Sequence, residues 1–322
     1  MTPEPSTRDR SPAPPRLGGV LAPVLTPFRA DLEPDVDRLV RHCRWLLSQG
    51  CAGLAPFGTT SEANSLSAGE RQSLLERLLE GGLDAARLVP GTGCCALTET
   101  VGLTRHAVRA GCAGALLLPP FYYKQVSEDG LFRSFAEVIE RVGDARLRLY
   151  LYHIPPVAQV PIGVGLVERL LRAYPETVAG IKDSSGDFAN TQALLALSGS
   201  GLDVFVGSER FLLANMRGGG AGCITATGNV NPAAIARLHR EWRSAGAEAL
   251  QAGLDALRGL VERFPVIAAL KEILAHHGAD PAWRTVRPPL TSLTQPQAGE
   301  LLAGLSRLGF AMPGLPAPPP GG

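Results

Sequence analysis

Residues 177–184 read Thr-Val-Ala-Gly-Ile-Lys-Asp-Ser, an apolar run that closes in charge and hydroxyls. A near-continuous apolar stretch of this length is what a strand buried on both faces needs, and such strands belong to parallel sheets covered by helices. Seven more runs share the character, at 19–28, 52–58, 86–93, 113–120, 147–155, 202–208 and 222–229. Most begin about 25 to 35 residues after the one before, which leaves room for one crossover helix. Eight such units predict an α/β fold of the (β/α)8 TIM-barrel type. An open doubly wound sheet is the structural rival, but no G-x-G-x-x-G follows the first run and the number of units favours closure.

The intervening segments carry helical period. Val36, Leu39, Val40, Cys43 and Leu46 fall on one face of a helix over 34–49, and Ser67 with Glu70 has the spacing of a capping box. Further helices are expected at 98–110, 130–142, 163–173, 187–197 and 232–244. Beyond them, 247–277 and 294–308 still read as helices, too many for a bare barrel, and predict a C-terminal helical extension packed on its side. The expected organisation is a tail at 1–16, a barrel core at 17–230, the last barrel helix and extension at 231–312, and a second tail at 313–322. Both tails combine proline with charge or glycine and are read as disordered.

The 31 basic and 30 acidic residues nearly cancel, so the chain lacks the charge of a nucleic-acid or anionic-membrane binder, and a small-molecule partner is expected. No apolar run reaches the ~20 residues of a membrane span, and the N-terminus has no secretory h-region. Six cysteines without C-x-x-C spacing read as thiols of a reducing compartment, and a cytoplasmic location is expected. His276 and His277 are adjacent rather than i, i+4, so no metal is inferred. The glycine-rich RGGGAG at 217–222 lacks the lysine and hydroxyl of a phosphate loop and reads as a tight helix-to-strand turn.

In a (β/α)8 barrel the reacting groups come from the C-terminal ends of the strands. Three run ends are polar: Gly58-Thr59-Thr60-Ser61-Glu62, Tyr152-His153 and Lys182-Asp183-Ser184. Only three of the basic residues are lysine (Lys124, Lys182, Lys271), and Lys182 interrupts an apolar run where arginine could not do the same chemistry. Only an amine forms an imine with a carbonyl, and a free alkylamine of pKa about 10.4 is neutral in roughly one copy in a few thousand at pH 7, so such a nucleophile belongs in a desolvated interior. The bland alternative is a buried lysine paired with Asp183 or a glutamate for stability. Tyr150 and Tyr152 share one strand face with Tyr152 nearer the rim, where a phenol hydrogen-bonded to a threonine can relay protons, although a core tyrosine explains it equally. His153 faces the other way and reads as structural. The Thr59-Thr60 turn offers hydroxyls and free N–H groups that suit a carboxylate, and turn chemistry alone would also account for it. Phe121-Tyr122-Tyr123 forms an aromatic cluster on a rim loop, suited to an interface or a substrate wall.

Taken in order, G-V-x-x-P-V-x-T-P-F (19–28), G-T-T-x-E (58–62), P-x-Y-Y (120–123), Y-x-I-P (152–155), G-I-K-D-S-S-G-D (180–187) and Gly207-Ser208 make the chain resemble the dihydrodipicolinate synthase and N-acetylneuraminate lyase superfamily over nearly all of 19–310. The resemblance implies a class I aldolase or lyase in which Lys182 condenses with the keto group of pyruvate or a longer 2-oxo acid. It implies that Tyr152 and Thr59 carry protons and that Thr60, with backbone near Ser61, Gly207 and Ile224, holds the carboxylate. Tyr123 matches a tyrosine that in relatives reaches a neighbouring subunit's site, which implies a dimer or a dimer of dimers. No dissociable cofactor is needed, because the imine is itself the electron sink.

Two departures stand out. Ser61 replaces the second glycine of the usual G-T-T-G-E, so the backbone there must tolerate a side chain. Val157 stands where dihydrodipicolinate synthases carry the arginine that receives the semialdehyde's carboxylate, and losing that partner should cost affinity for it. A lyase or aldolase releasing or consuming pyruvate is therefore favoured over a true synthase condensing pyruvate with aspartate semialdehyde, with a deoxy-sugar-acid dehydratase as a further form of the same chemistry. Two readings of other classes are a non-catalytic barrel that binds an oxo acid and a phosphate-binding barrel isomerase.

Overall fold

The apolar runs become strands buried on both faces in the computed structural model, which describes residues 16–316. The order is β1 (Gly19–Ala22), α1 (Val36–Ser48), β2 (Gly53–Leu54), α2 (Ala68–Glu80), α3 (Leu97–Arg109), β3 (Ala115–Leu117), α4 (Glu128–Val142), β4 (Leu149–His153), α5 (Pro155–Ala158), α6 (Val164–Ala173), β5 (Val178–Asp183), α7 (Phe188–Leu195), β6 (Asp203–Val206), α8 (Leu212–Arg217), β7 (Gly222–Ile224), α9 (Pro232–Glu241), α10 (Ala247–Val261), α11 (Val266–His277) and α12 (Gln295–Arg307). All strand pairs are parallel, in the order β2-β1-β7-β6-β5-β4-β3.

The run at 86–93, expected as a regular strand, is the one that differs. Pro90 has no N–H to give to a ladder, so the segment joins its neighbours only through the isolated parallel bridges Leu54–Leu88 and Gly91–Leu116. It still closes the ring. Val89 N donates to Leu54 O at 2.8 Å on one side, and Leu116 N donates to Pro90 O at 2.9 Å on the other. The sheet is therefore a closed barrel of eight staves with one irregular member, and α10 to α12 form the C-terminal helical extension.

Strand alternation divides the core into two layers. Leu21, Leu116, Tyr150, Phe205 and Ile224 fill the barrel, while Leu149, Leu151, Ile181 and Val204 point outward to meet Leu131, Phe135, Leu166 and Leu170 of α4 and α6. Tyr150 fits inside because its neighbours have no side chains: a Cβ on Gly114 or Gly180 would sit 2.7 or 2.8 Å from its ring. The helix signals behave as their chemistry dictates. Asp35 caps α1 by accepting from Arg38 N, and Ser67 with Glu70 forms a complete capping box on α2. The glycine-rich 217–222 segment turns α8 into β7, where a Cβ on Gly222 would collide with the Gly19 carbonyl at 1.9 Å.

Residues 1–15 and 317–322, most of the two expected tails, lie outside the described residues. The described ends are packed. Arg16 reaches the carbonyl of Gly201, Trp45 Nε1 donates to Pro313 O at 3.3 Å, and Leu315 packs against the core. No helix of the described residues is long and apolar enough to cross a membrane.

Candidate active site

Because β4 and β5 pair with Tyr152 beside Lys182, and β5 and β6 with Lys182 beside Phe205, the lysine projects inward at the C-terminal end of the barrel. It is 4% exposed, and its Nζ lies 4.1 Å from the centroid of the Tyr152 ring. It has no hydrogen bond or ion pair to any described residue. The pairing with Asp183 that would make it a structural lysine is absent, because Asp183 turns outward. There it accepts from Thr191 Oγ1 at 2.6 Å, Asn190 Nδ2 at 3.1 Å and Ser185 N at 2.9 Å.

Tyr152 O–H donates to Thr59 Oγ1 at 3.3 Å, which joins the β4 exit to the 58–62 turn. Within that turn the N–H groups of Ser61, Glu62 and Ala63 are already bound to Gly58 O, Thr59 O and Gly58 O. The backbone N–H groups of Thr59 and Thr60 have no partner among the described residues, and both residues line the cavity with their hydroxyls nearby. Such a pair suits an anionic oxygen. Ser61 is buried and braces the turn: Gly58 N donates to its Oγ at 3.3 Å, and Thr26 Oγ1 donates to its carbonyl at 2.7 Å. The left-handed residues here are Phe57 and Glu62, at φ 62 and 57, so a side chain at position 61 costs no backbone strain.

A second set of contacts fixes the turn from behind. Glu62 carries a fully buried ion pair with Lys271 of α11 and accepts from Arg287 N at 3.1 Å. Lys271 also donates to Thr285 O at 2.8 Å, and Arg287 donates to Ser65 O at 2.6 Å and to Glu70. Burial lowers the pKa of Lys271, against the opposing pull of Glu62. His153 has the structural role expected of it, since its Nδ1 accepts from Ile162 N at 2.9 Å and burial lowers its pKa.

Lys182, Tyr152, Thr59, Thr60 and Gly207 line one cavity of about 770 Å³. Three other candidates stand apart from it. Ser61 is buried in the turn, Ile224 is buried in the barrel interior, and Tyr123 is 70% exposed, edge-on to Tyr122 on the rim loop. Gly207 N is already donated to Asp183 O at 2.6 Å. The sequence reading missed the outer wall, made of Arg210 and Phe211 after β6, Arg258 and Glu262 at the end of α10, Pro265 to Ala268 entering α11, and 289–291. Helical period announces that an extension exists but not that its loops overhang the barrel mouth.

Comparison with known proteins places this site in context. Residues 16–308 match the dihydrodipicolinate synthetase family. The chain belongs to that family. It is 35% identical over 292 residues to an uncharacterized DapA-like lyase of Chloroflexus aurantiacus, covering 90% of this chain and 96% of that one. The dihydrodipicolinate synthase structure from Agrobacterium tumefaciens superposes with a TM-score of 0.85 at 32% identity, covering 91% of this chain and 99% of the other. YagE, an Escherichia coli K12 prophage protein of the dihydrodipicolinic acid synthase family solved in complex with pyruvate, gives a TM-score of 0.85 at 27% identity over 91% and 99% of the two chains. The family member described here is thus a lyase of the class I, Schiff-base aldolase type on a (β/α)8 barrel.

Proposed function

We propose that this chain makes or breaks a carbon-carbon bond next to pyruvate, with Lys182 as the imine-forming nucleophile and the Tyr152–Thr59 pair as proton carrier. The observation that carries the reading is a buried amine with no counter-ion among the described residues, lining a large cavity and lying against a hydrogen-bonded phenol. Lys182 Nζ attacks C2 of the 2-oxo acid, and Tyr152 delivers a proton to the departing oxygen as water is lost. Loss of a C3 proton then gives an enamine. In the synthetic direction C3 attacks an aldehyde carbon, whose oxygen is protonated, and water releases the product. In the cleavage direction the 4-hydroxyl gives up its proton, the C3–C4 bond breaks, and its electrons pass to the iminium nitrogen. Thr60, with the N–H groups of Thr59 and Thr60, holds the carboxylate.

Pyruvate is the proposed small-molecule partner because a relative with the same fold is solved with it and because the Thr59–Thr60 cradle matches a carboxylate. Condensation with aspartate semialdehyde, the synthase reading favoured by the names of several relatives, runs against Val157, which gives that substrate's carboxylate no cationic partner. We further place the protein in the cytoplasm, consistent with six free thiols. We assign it a dimer or dimer of dimers in which Tyr123, exposed on the rim, reaches a neighbouring copy.

The deciding experiment is incubation with pyruvate and borohydride followed by peptide mass spectrometry. A reduced adduct on Lys182 is expected. Failure to trap any member of a 2-oxo acid panel would sink the reading in favour of a non-catalytic oxo-acid binder.

A further inference from the structure

Pyruvate would fill only a small part of the cavity. At ~30 Å³ per heavy atom, the share of a water molecule in the liquid, its six heavy atoms need under ~200 Å³, while the cavity holds about 770 Å³. The remainder is where the other reactant's tail must lie, so its walls describe that tail.

Those walls are apolar on several sides. Ile154 and Val157 come from the β4 exit, Phe211 from the β6 exit, Val266 and Ile267 from α11, and Leu290 from the following loop. Val157 lines the cavity and is 59% exposed, a branched apolar side chain open to solvent. Phe211 lines the cavity and stacks on Phe188, their ring centroids 5.7 Å apart at 21°, which restrains its ring.

Apart from Lys182, the charged side chains lining the cavity each have a partner, in one case Glu209 from outside the lining. Arg258 donates to Glu262 at 2.7 Å and to Glu209 at 3.4 Å. Arg210 pairs with the other oxygen of Glu262 at 3.0 Å. Asp183 is saturated by Thr191, Asn190 and Ser185. A carboxylate in the outer cavity would compete with Glu262 for Arg210 and with Glu262 and Glu209 for Arg258, whereas an apolar tail meets the apolar walls without disturbing these pairs.

We infer that the second reactant is an uncharged aldehyde with an apolar, aryl-type tail, and that Val157 and Phe211 set this preference. The inference rests on the imine reading above. The step is C–C bond formation between enamine C3 and the aldehyde carbon. The aldehyde oxygen takes one proton, and the water lost in imine formation is regained on release. Pyruvate and the aldehyde thus sum to a 4-hydroxy-2-oxo acid with no redox partner.

The test uses the full chain with pyruvate and three aldehydes: benzaldehyde, glyceraldehyde and aspartate semialdehyde. We expect kcat/KM for benzaldehyde to exceed that for aspartate semialdehyde by roughly 100-fold, the scale on which a hydrophobic pocket discriminates. Val157→Arg, at an exposed position where folding is not at stake, should cut that ratio by about tenfold or more, and Phe211→Ala should lower the benzaldehyde value several-fold more than the glyceraldehyde value. Preference for aspartate semialdehyde or equal use of all three, with Lys182 trapped by pyruvate, would overturn the aldehyde assignment and leave the aldolase reading standing. No trapped adduct with any 2-oxo acid would remove both.

Discussion

Two lysines are buried in this protein, one in the barrel and one in the extension, at 4% and 0% exposure, and they are buried differently. Lys271 is gripped: Glu62 faces it as a buried carboxylate, Thr285 O accepts a second hydrogen bond at 2.8 Å, and the Phe28 ring lies 4.7 Å away. Lys182 lies over the face of Tyr152 with no hydrogen bond or ion pair among the described residues, and the nearest acid in sequence, Asp183, is tied up by three other donors. Burying a cation costs several kcal/mol unless a partner offsets it. At Lys271 the partner is present and the residue ties the extension to the 58–66 turn. At Lys182 none is present among the described residues, and on the proposed reading the fold accepts that cost where an amine must remain free to meet a carbonyl. Burial alone does not mark a functional lysine; burial without a partner, at a cavity, does.

The comparison is broken most directly at Lys182. Lys182→Met should lower turnover by roughly 10⁴-fold or more, as removal of a covalent nucleophile does, and abolish borohydride trapping. It should leave the thermal midpoint unchanged or higher, because an unpaired buried amine is replaced by an apolar chain of similar length. A fall in stability comparable to that of a broken ion pair would mean that Lys182 is structural after all.

Lys271→Met tests the other side. It leaves Glu62 buried with the Arg287 N–H as its one remaining donor among the described residues, so a loss of about 3–5 kcal/mol in denaturant unfolding is expected, the usual effect of removing one member of a buried pair. Lys182 should still trap pyruvate in the variant that remains folded. Adding Glu62→Gln should return part of the loss, and no recovery would show that the pair is not the source.

Next in size is Tyr152→Phe. The ring that lies against Lys182 stays while the hydroxyl 3.3 Å from Thr59 goes. If the phenol carries protons, kcat should fall by about 10²-fold with little change in pyruvate affinity measured by calorimetry. A variant with unaltered kcat would assign Tyr152 to packing.

These two regions were not equally legible. Lys182 and Tyr152 could be read because strand alternation and apolar continuity are local, so a charged residue inside a buried run stands out. The Thr59–Thr60 turn could be read for the same reason, as a polar end to an apolar run. Glu62 and Lys271 are 209 positions apart, and nothing in the helical period of 266–277 says which acid a lysine there will meet. The irregular stave at 88–92 was expected as a strand because Pro90 interrupts hydrogen bonding without interrupting hydrophobicity. The outer wall from Arg210, Arg258 and Leu290 was missed because loop direction over a barrel mouth is set by packing of the extension.

The smallest expected effect lies at the edge of the gripped region. Arg287 donates to Glu70, and this hydrogen bond is the main reason that the Glu70 carboxyl is lowered from 4.5 to about 2. The folded state therefore holds that proton less tightly than the unfolded chain. The contribution is fully present above about pH 4.5 and disappears as pH falls toward 2. With the two side chains 15% and 29% exposed, solvent screening limits it to about 1 kcal/mol. Glu70→Gln keeps the capping box with Ser67, since glutamine fills the same position, but removes the charge. Its unfolding free energy should fall by about that amount at pH 7 and converge with wild type near pH 2, whereas parallel curves at all pH values would show that Arg287 grips the turn through Ser65 and Glu62 alone.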